Sequence, residues 1–334
     1  MALAVPRQVD VLIAGAGPAG LAAAHALTLA GVHALLVDAR ARIGHPVRCA
    51  EATHRGFFDD LGVTPRREWV RWVLGKGQGG LILDRPRLEH DLAEILARAG
   101  AVVRAGTAVI GVGPYAGGAR SVTLLIGHDR HDVQARLVIA ADGVASRVAA
   151  LAGLNTRLKL SEIGSCLACR VVGTKLRNPA VASVEYLTEI APGYFWVFPA
   201  GPDQANVGLG VLGHRGFAAR PLLDRALERT PALRGGRVVE MIVGCVPSAE
   251  PLERPYCDGL LVAGAAARLV GAASGEGLRP AAISGRAAAR VYLDRCSTST
   301  DAACLAPYRE SLTTLYREMH QQLQERRGRE RPAR

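Results

Sequence analysis

Aromatic residues are scarce in this 334-residue chain: 5 Phe, 3 Trp and 7 Tyr make up 4% of it. Any cluster of them therefore carries information. Lysine is nearly absent, with only Lys76, Lys159 and Lys175 among 41 basic residues. The basic excess, +11 at neutral pH, raises nucleic acid, an anionic membrane surface or an acidic substrate as partners. The arginines are scattered beside Ala and Gly with no nucleic-acid motif near them, so no nucleic-acid partner is expected. The seven cysteines, at 49, 166, 169, 245, 257, 296 and 304, are too few and too irregular for a disulfide scaffold and read as reduced thiols. No uninterrupted apolar run is long enough to cross a bilayer. The longest, Val11–Val37, is broken by Gly, Pro and His. No secretory signal is visible, and the expectation is a cytoplasmic protein. Repeats and low-complexity tracts are lacking, apart from an Arg-rich Gln324–Arg334. With 49% hydrophobic and 21% charged residues, the chain can build a substantial core in more than one sub-domain.

Val9–Ala14 reads as a buried parallel strand. It runs into Gly15-Ala-Gly-Pro-Ala-Gly20, then an Ala- and Leu-rich helix, Leu21–Ala30, stopped by Gly31, then a strand, Val32–Val37, ending in Asp38. This is a βαβ unit with G-x-G-x-x-G in its first turn. Gly15 permits the tight turn, Gly17 lets the backbone approach a pyrophosphate, and Gly20 lets helix and strand pack closely. Pro18 and Ala19 complete the turn. Asp38 can accept hydrogen bonds from ribose hydroxyls, with Ala39 and Arg40 following. Strand, helix and acid are all in place, so a dinucleotide site is expected. Its position in the chain favours FAD, although NAD would use the same fingerprint.

Three later segments follow in order. Leu137–Ala140 is a strand ending in Ala-Asp-Gly at Asp142. Leu260–Ala263 runs into a small-residue turn at Gly264 and Ala265. Gly275-Glu-Gly277-Leu278 opens an Ala-rich helix to Leu293. Asp84-Arg85 precedes an amphipathic helix, Leu88–Ala99. With the N-terminal fingerprint, this order resembles the para-hydroxybenzoate hydroxylase-type flavoprotein superfamily. The resemblance implies an α/β fold: a Rossmann-like FAD-binding domain with an inserted antiparallel-sheet substrate domain and a short C-terminal helical segment. The boundaries expected are 1–75 and 76–158 for the first two FAD-binding parts, 159–256 for the substrate domain, 257–295 for the third FAD-binding part, and 296–334 for a helix and basic tail. Arg85 is then either a flavin-side contact or a solvated helix-start cation. The superfamily's third segment normally carries Asp where Ala265 stands. Loss of one charge-assisted hydrogen bond costs about 1.5–3 kcal/mol, so FAD is expected to bind loosely here.

Two further motifs narrow the resemblance. Gly44-His-Pro-Val-Arg-Cys-Ala-Glu51 supplies Pro46, Val47, Cys49 and Glu51. Pro192-Gly-Tyr-Phe-Trp-Val-Phe-Pro199 supplies Tyr194, Trp196, Phe198 and Pro199. Together they resemble the geranylgeranyl reductase family, whose Tyr-x-Trp-x-Phe-Pro stretch lines an isoprenoid cavity and whose Cys lies near the flavin. Read from the residues alone, Tyr194, Trp196 and Phe198 share one face of a strand. An ordinary core stripe has the same pattern. The sheet is expected from Ser165–Val172, Val181–Glu189, Tyr194–Ala200, Ala205–Leu212 and Val238–Cys245, with a helix near Ala218–Arg229. The resemblance implies Cys49 as the catalytic residue, either a proton donor or a group that shapes the cavity. Gly15, Gly17, Pro18, Ala19, Gly20, Asp38, Ala39, Arg40, Cys49, Arg85, Asp142, Gly264, Ala265, Gly275, Gly277 and Leu278 are the implied FAD-binding residues. Glu51 reads as a turn or helix-start carboxylate, or as one that supports the Cys49 segment from behind; His45 and His54 read as surface residues, with proton shuttling beside a flavin as the alternative. Cys166-x-x-Cys169 has no partner pair at zinc spacing, and on a strand the two thiols face opposite ways. No metal site is expected.

The reaction implied is FAD-dependent reduction of carbon–carbon double bonds in a prenyl lipid, with hydride from reduced flavin. NAD(P)H or another reduced carrier would supply the electrons, since no second G-x-G-x-x-G is present. A flavin monooxygenase or halogenase shares the FAD domain, and a flavin-poor prenyl-lipid binding protein is a third reading. The segment Ala306–Gln324 reads as a helix. The five Arg and two Glu of Gln324–Arg334 read as a solvated tail or as a weak contact with anionic lipid.

Overall fold

A computed structural model describes residues 5–75 and 79–330. Its largest sheet is built on β1 (Gln8–Ala14), which runs parallel to β2 (Ala34–Val37) on one side and β9 (Asp129–Ala140) on the other. Strands buried on both faces need continuous apolar runs rather than alternation. Val11–Ala14, Ala34–Val37 and Leu137–Ala140 supply them, all essentially inaccessible to solvent. The sheet extends through β6 (Val102–Arg104) beyond β2, and through β16 (Leu260–Val262) and β15 (Tyr256–Cys257) beyond β9. The first half of β9 turns into an antiparallel meander with β8 (Ala119–Ile126) and β7 (Thr107–Ala116). Alternation returns there: Val122, Leu124, Val133 and Ala135 are buried and their neighbours less so. α1 (Pro18–Leu29) packs against both α6 (Leu278–Arg295) and α3 (Arg85–Arg98).

The second sheet is antiparallel, in the order β11 (Ser183–Glu185), β12 (Tyr194–Pro199), β13 (Gln204–Leu212), β10 (Ile163–Val172), β14 (Arg237–Pro247). Phe195, Val197, Leu209 and Cys169 face α5 (Ala219–Arg229), whose Leu222 and Leu223 complete that core. Tyr194, Trp196, Phe198 and Cys166 lie on the other face with Ala168 and Ile242. Cys166 and Cys169 thus point opposite ways, as strand geometry requires. The strand expected over Val181–Glu189 shrinks to β11. A 3-10 turn at Thr188–Ile190, closed by the Gly193 N–H on the Ile190 carbonyl at 2.7 Å, turns the chain back before pairing can extend.

A small third sheet, β3 (Ala52–His54), β5 (Gly80–Leu83) and β4 (Val70–Val73), lies between the larger two. Leu74 and Ile82 pack on Ala200 and Phe198. Phe57, Phe58 and Leu61 of α2 (Phe57–Leu61) join the main core. α4 (Arg147–Leu151) follows β9. The chain closes with α7 (Ala302–Leu305), α8 (Pro307–Ser311) and α9 (Thr313–Glu330). Buried Tyr308 and Tyr316 tie this end to the Val262 and Leu252 carbonyls at 2.9 and 2.6 Å. The expected basic tail is therefore partly structured. Gln324–Glu330 continues α9, and Arg326 is buried against the cavity described next. Arg331 and Arg334 lie outside the described residues. Among those described, no helix is long and apolar enough to cross a membrane.

Candidate active site

One cavity of about 900 Å³ is walled by all three sheets and by the N-termini of α1 and α6. The β1–α1 turn forms one side. Gly15 adopts φ +109°, and a Cβ at Gly20 would overlap the Gly15 carbonyl, so both glycines are sterically required. Gly17 caps α1 with no side chain over the helix end, and Pro18 takes the first helical position. Gly15, Gly17, Pro18 and Ala19 line the cavity, as do Asp38, Ala39 and Arg40. Gly20 does not line it; its role is the close approach of helix and turn. Gly264 is also outside the wall, packed on Ala19 with its N–H on Ser284 Oγ at 2.9 Å.

Asp38 does more than await a ribose. Its carboxylate accepts the Ala16 N–H at 2.7 Å, the Arg40 N–H at 2.8 Å, and Arg40 Nε and Nη2 at 2.9 and 2.8 Å. Burial opposes its charge, but these donors and the Arg40 charge hold the carboxyl below its ordinary value. Arg40 continues to Glu89 at 3.2 Å, and Glu89 pairs with Arg85. Arg85 is thus no solvated helix-start cation. It lines the cavity beside the Cys49 sulfur, its Nε buried and without a protein partner.

Cys49 Sγ accepts the Glu51 N–H at 3.2 Å. Glu51, expected as a turn carboxylate, is fully buried and held at φ +65°. Such a conformation costs a non-glycine residue on the order of 1–3 kcal/mol and persists only where neighbours enforce it. The neighbours here are Arg170 at 3.2 Å, Arg71 at 3.8 Å and the Arg85 N–H at 3.4 Å. Burial raises the Glu51 carboxyl above its ordinary value despite the three arginines. Glu51 therefore joins the Cys49 segment to β10 of the antiparallel sheet.

Tyr194, Trp196 and Phe198 line the opposite wall, with ring centroids 5.9 and 6.1 Å apart in sequence. Directly across on β13 stand Gly210, Gly208 and Asn206. A Cβ at Gly208 would sit 2.5 Å from Trp196 Cζ2, so this glycine seats the indole. Trp196 Nε1 donates to buried Asn206 Oδ1 at 2.9 Å. Pro199 pairs with Ala205 at the strand end and does not line the cavity, so only three of the four expected wall residues do. The Tyr194 hydroxyl donates to the Ser274 carbonyl, joining the wall to the Gly275–Leu278 loop. Gly275, Gly277 and Leu278 line the cavity, and Gln322 of α9 holds Ser274 through its N–H and hydroxyl at 3.1 and 2.8 Å. His54, expected on the surface, also lines the cavity, with Nε2 2.9 Å from Asp60 Oδ2.

Asp142 ends β9. Its Oδ2 accepts the Val148 N–H at 2.9 Å, while Oδ1 is buried at the cavity with no protein donor. Ala265 lines the cavity in a 3-10 turn and offers no carboxylate. The set fits a flavin dinucleotide: an uncapped helix start for the pyrophosphate, an orphaned carboxylate oxygen for a hydroxyl, an orphaned guanidinium nitrogen, and an apolar wall. Glu89, Arg170 and Asn206 escape a pattern-based reading. The available signal was a charged or amide residue inside an apolar stripe, which is rare unless partnered.

Residues 8–68 match the model of an FAD binding domain, and residues 162–246, the antiparallel sheet, match that of the geranylgeranyl reductase catalytic domain. Digeranylgeranylglycerophospholipid reductase 1 of Methanopyrus kandleri is 35% identical over 326 residues, 91% of this chain and 85% of that protein. The crystal structure of a geranylgeranyl bacteriochlorophyll reductase-like protein from Thermoplasma acidophilum superposes with a TM-score of 0.91 at 27% identity, over 97% of this chain and 88% of that one. A flavin-dependent brominase, TM-score 0.71 at 14% identity over 91% and 83% of the two chains, shares the fold alone. The halogenase reading and the flavin-poor reading of the sequence therefore give way. On this likeness across nine-tenths of its length, with the flavin-binding match on β1–α1–β2 and the reductase match on the aromatic-walled sheet, the chain belongs to the geranylgeranyl reductase family of FAD-dependent oxidoreductases.

Proposed function

We propose that the protein saturates carbon–carbon double bonds in the geranylgeranyl chains of a membrane phospholipid. The observation that carries this reading is the pairing, across one cavity, of the β1–α1 dinucleotide turn with the Tyr194–Trp196–Phe198 wall. FAD, when bound, supplies the hydride. The Gly15–Ala19 turn, Asp38 with Arg40, and the free Oδ1 of Asp142 would hold it. Tyr194, Trp196 and Phe198 offer an aromatic face to a prenyl chain and keep water from it, which favours transfer to carbon over side reactions. Cys49 stands where the two walls meet, its sulfur fixed by the Glu51 N–H and Arg85. It borders the reacting alkene and shapes the cavity there. Electrons come from NAD(P)H bound transiently or from another reduced carrier. Contact with an anionic membrane surface brings the lipid to the cavity.

An anaerobic incubation with dithionite, FAD and digeranylgeranylglycerophospholipid, followed by mass spectrometry, tests the reading. The expected product is heavier by two hydrogens per reduced bond. Unchanged lipid, or turnover only with oxygen, refutes it.

A further inference from the structure

We propose that Glu276 is a catalytic residue: its carboxylic acid protonates the alkene carbon that does not receive hydride, and His54 with Asp60 returns the proton from solvent. The proposal rests on the reductase reading above.

The placement is specific. Glu276 lines the same cavity as the aromatic wall. Its backbone is pinned on both sides: its carbonyl accepts the Gly271 N–H at 2.8 Å and its N–H donates to Ser274 Oγ at 3.2 Å. The Tyr194 hydroxyl rests on the Ser274 carbonyl two residues earlier, so the loop that carries Glu276 is tied to the first ring of the prenyl wall. Its Oε1 is buried with no protein donor. A carboxylate oxygen so placed is costly as an anion and comfortable as an acid.

The surroundings supply a return path. Four elements bring charge to Glu276: β3 with His54, α2 with Asp60, α6 with Arg279 and α9 with Glu318. Arg279 offsets its burial only in part, because Nη1 is committed to Glu318 at 2.7 Å and Nε faces Asp60 at 3.9 Å. His54 is 2.9 Å from Asp60, lines the cavity, and keeps 39% of its side chain exposed. Its Nε2 and the facing Asp60 Oδ2 are buried, and the rest of the ring is open toward the cavity. Burial, with Glu318 and Asp60 adding to it and His54 and Arg279 opposing, lifts the Glu276 carboxyl above its ordinary value. That keeps a larger share protonated near neutrality.

The step balances. The π bond is lost and two C–H bonds form, one from the hydride of reduced flavin and one from the Glu276 proton. The flavin ends oxidised by two electrons, and the Glu276 carboxylate regains a proton from His54, which regains one from water.

E276Q, E276D, H54N and wild type are compared as flavin-bound proteins. Flavin content and the rate of flavin reduction by dithionite report an intact cofactor site. Single-turnover reduction of the prenyl lipid against pH reports the proton step. A carboxyl 13C titration of glutamate-labelled protein without substrate reports Glu276 itself. E276Q should keep its flavin and flavin reduction but lose lipid reduction by about 10²–10⁴-fold. Wild-type turnover should fall as pH rises through the Glu276 titration, and this limb should be absent from the residual E276Q rate. E276D should recover part of the loss. The carboxyl titrating above the ordinary range should vanish in E276Q and move in H54N. If E276Q takes up no flavin, E276D and H54N carry the test: with flavin intact, both must slow lipid reduction. E276Q within about threefold of wild type, an unchanged pH limb, or no upshifted carboxyl overturns this proposal alone. A wild-type enzyme that is reduced yet leaves every prenyl lipid unchanged overturns the reductase reading and this proposal together.

Discussion

Removing the Glu51 side chain should separate its charge from its shape. At an effective dielectric of about 20, unit charges at the 3.2 Å of Arg170 attract by about 5 kcal/mol, and at the 3.8 Å of Arg71 by about 4. Against this stands the desolvation of a carboxylate with no solvent exposure, several kcal/mol. Burial wins, since it leaves the carboxyl above its ordinary value. The same contact raises Arg170, but Arg170 also has Glu240 at 3.1 Å and some hydration, so the fully buried carboxyl sets the balance. E51A therefore leaves a void and turns two arginines on each other, at a cost of about 3–5 kcal/mol. E51Q keeps the shape and an acceptor for the Arg85 N–H, and should cost less than half as much. A raised folded-state value means that the stability linked to Glu51 is fully present below pH 4.5 and is lost as pH rises through the folded value. Wild type should accordingly lose ground to E51Q as pH rises above 4.5. Urea unfolding with retained flavin as a second probe measures this. Equal losses in E51A and E51Q, or an E51A cost under about 1 kcal/mol, refute the reasoning.

Three further outcomes follow from the same geometry. A265D places a carboxylate in the cavity wall and should tighten FAD by about ten- to a hundredfold, read by titration of flavin fluorescence; weaker binding would show that the turn has no donor to meet it. Asp38 is held below its ordinary 3.8, so the stability it contributes is present above 3.8 and lost as pH falls through the folded value; the melting-temperature gap between wild type and D38N should narrow as pH falls below 3.8. W196A leaves a cavity and a buried, unpartnered Asn206 Oδ1, and should cost about 3–5 kcal/mol by denaturant unfolding. W196F should lose far less stability.

Much of the site was legible because its parts obey local rules. A βαβ unit needs its glycines within six residues, and a strand declares its faces by alternation, so Gly15, Gly17, Asp38 and the Tyr194–Phe198 stripe stand out in one dimension. The seat of that stripe was half visible: Gly208 and Gly210 interrupt an apolar strand, but only the register shows that they lie beneath the rings. Glu51 was misread because its partners, at positions 71, 85 and 170, come from separate elements. Nothing local announces a hub whose meaning is long-range. Glu276 escaped for the same reason: only the fold brings the loop before α6 and His54 of β3 to one cavity. Pro199 was over-read because a motif was taken whole, whereas the strand delivers alternate residues.

The parallel sheet has a consequence for how the enzyme is made. β1 and β16 lie on either side of β9, yet the end of one and the start of the other are separated by most of the chain. At about 5–20 residues per second, a ribosome needs roughly 12–50 s between them. The antiparallel sheet is complete only at Pro247, about 30 residues and roughly 2–6 s before the Gly275–Leu278 loop is finished. In that gap the Tyr194–Phe198 wall already has the β1–α1 turn and the Cys49 segment as cavity partners, and only the side formed by the later segments is open. A complete flavin cavity exists only once Ala263, Ala265 and the Gly275–Leu278 loop have been made, so flavin capture is a late event in synthesis.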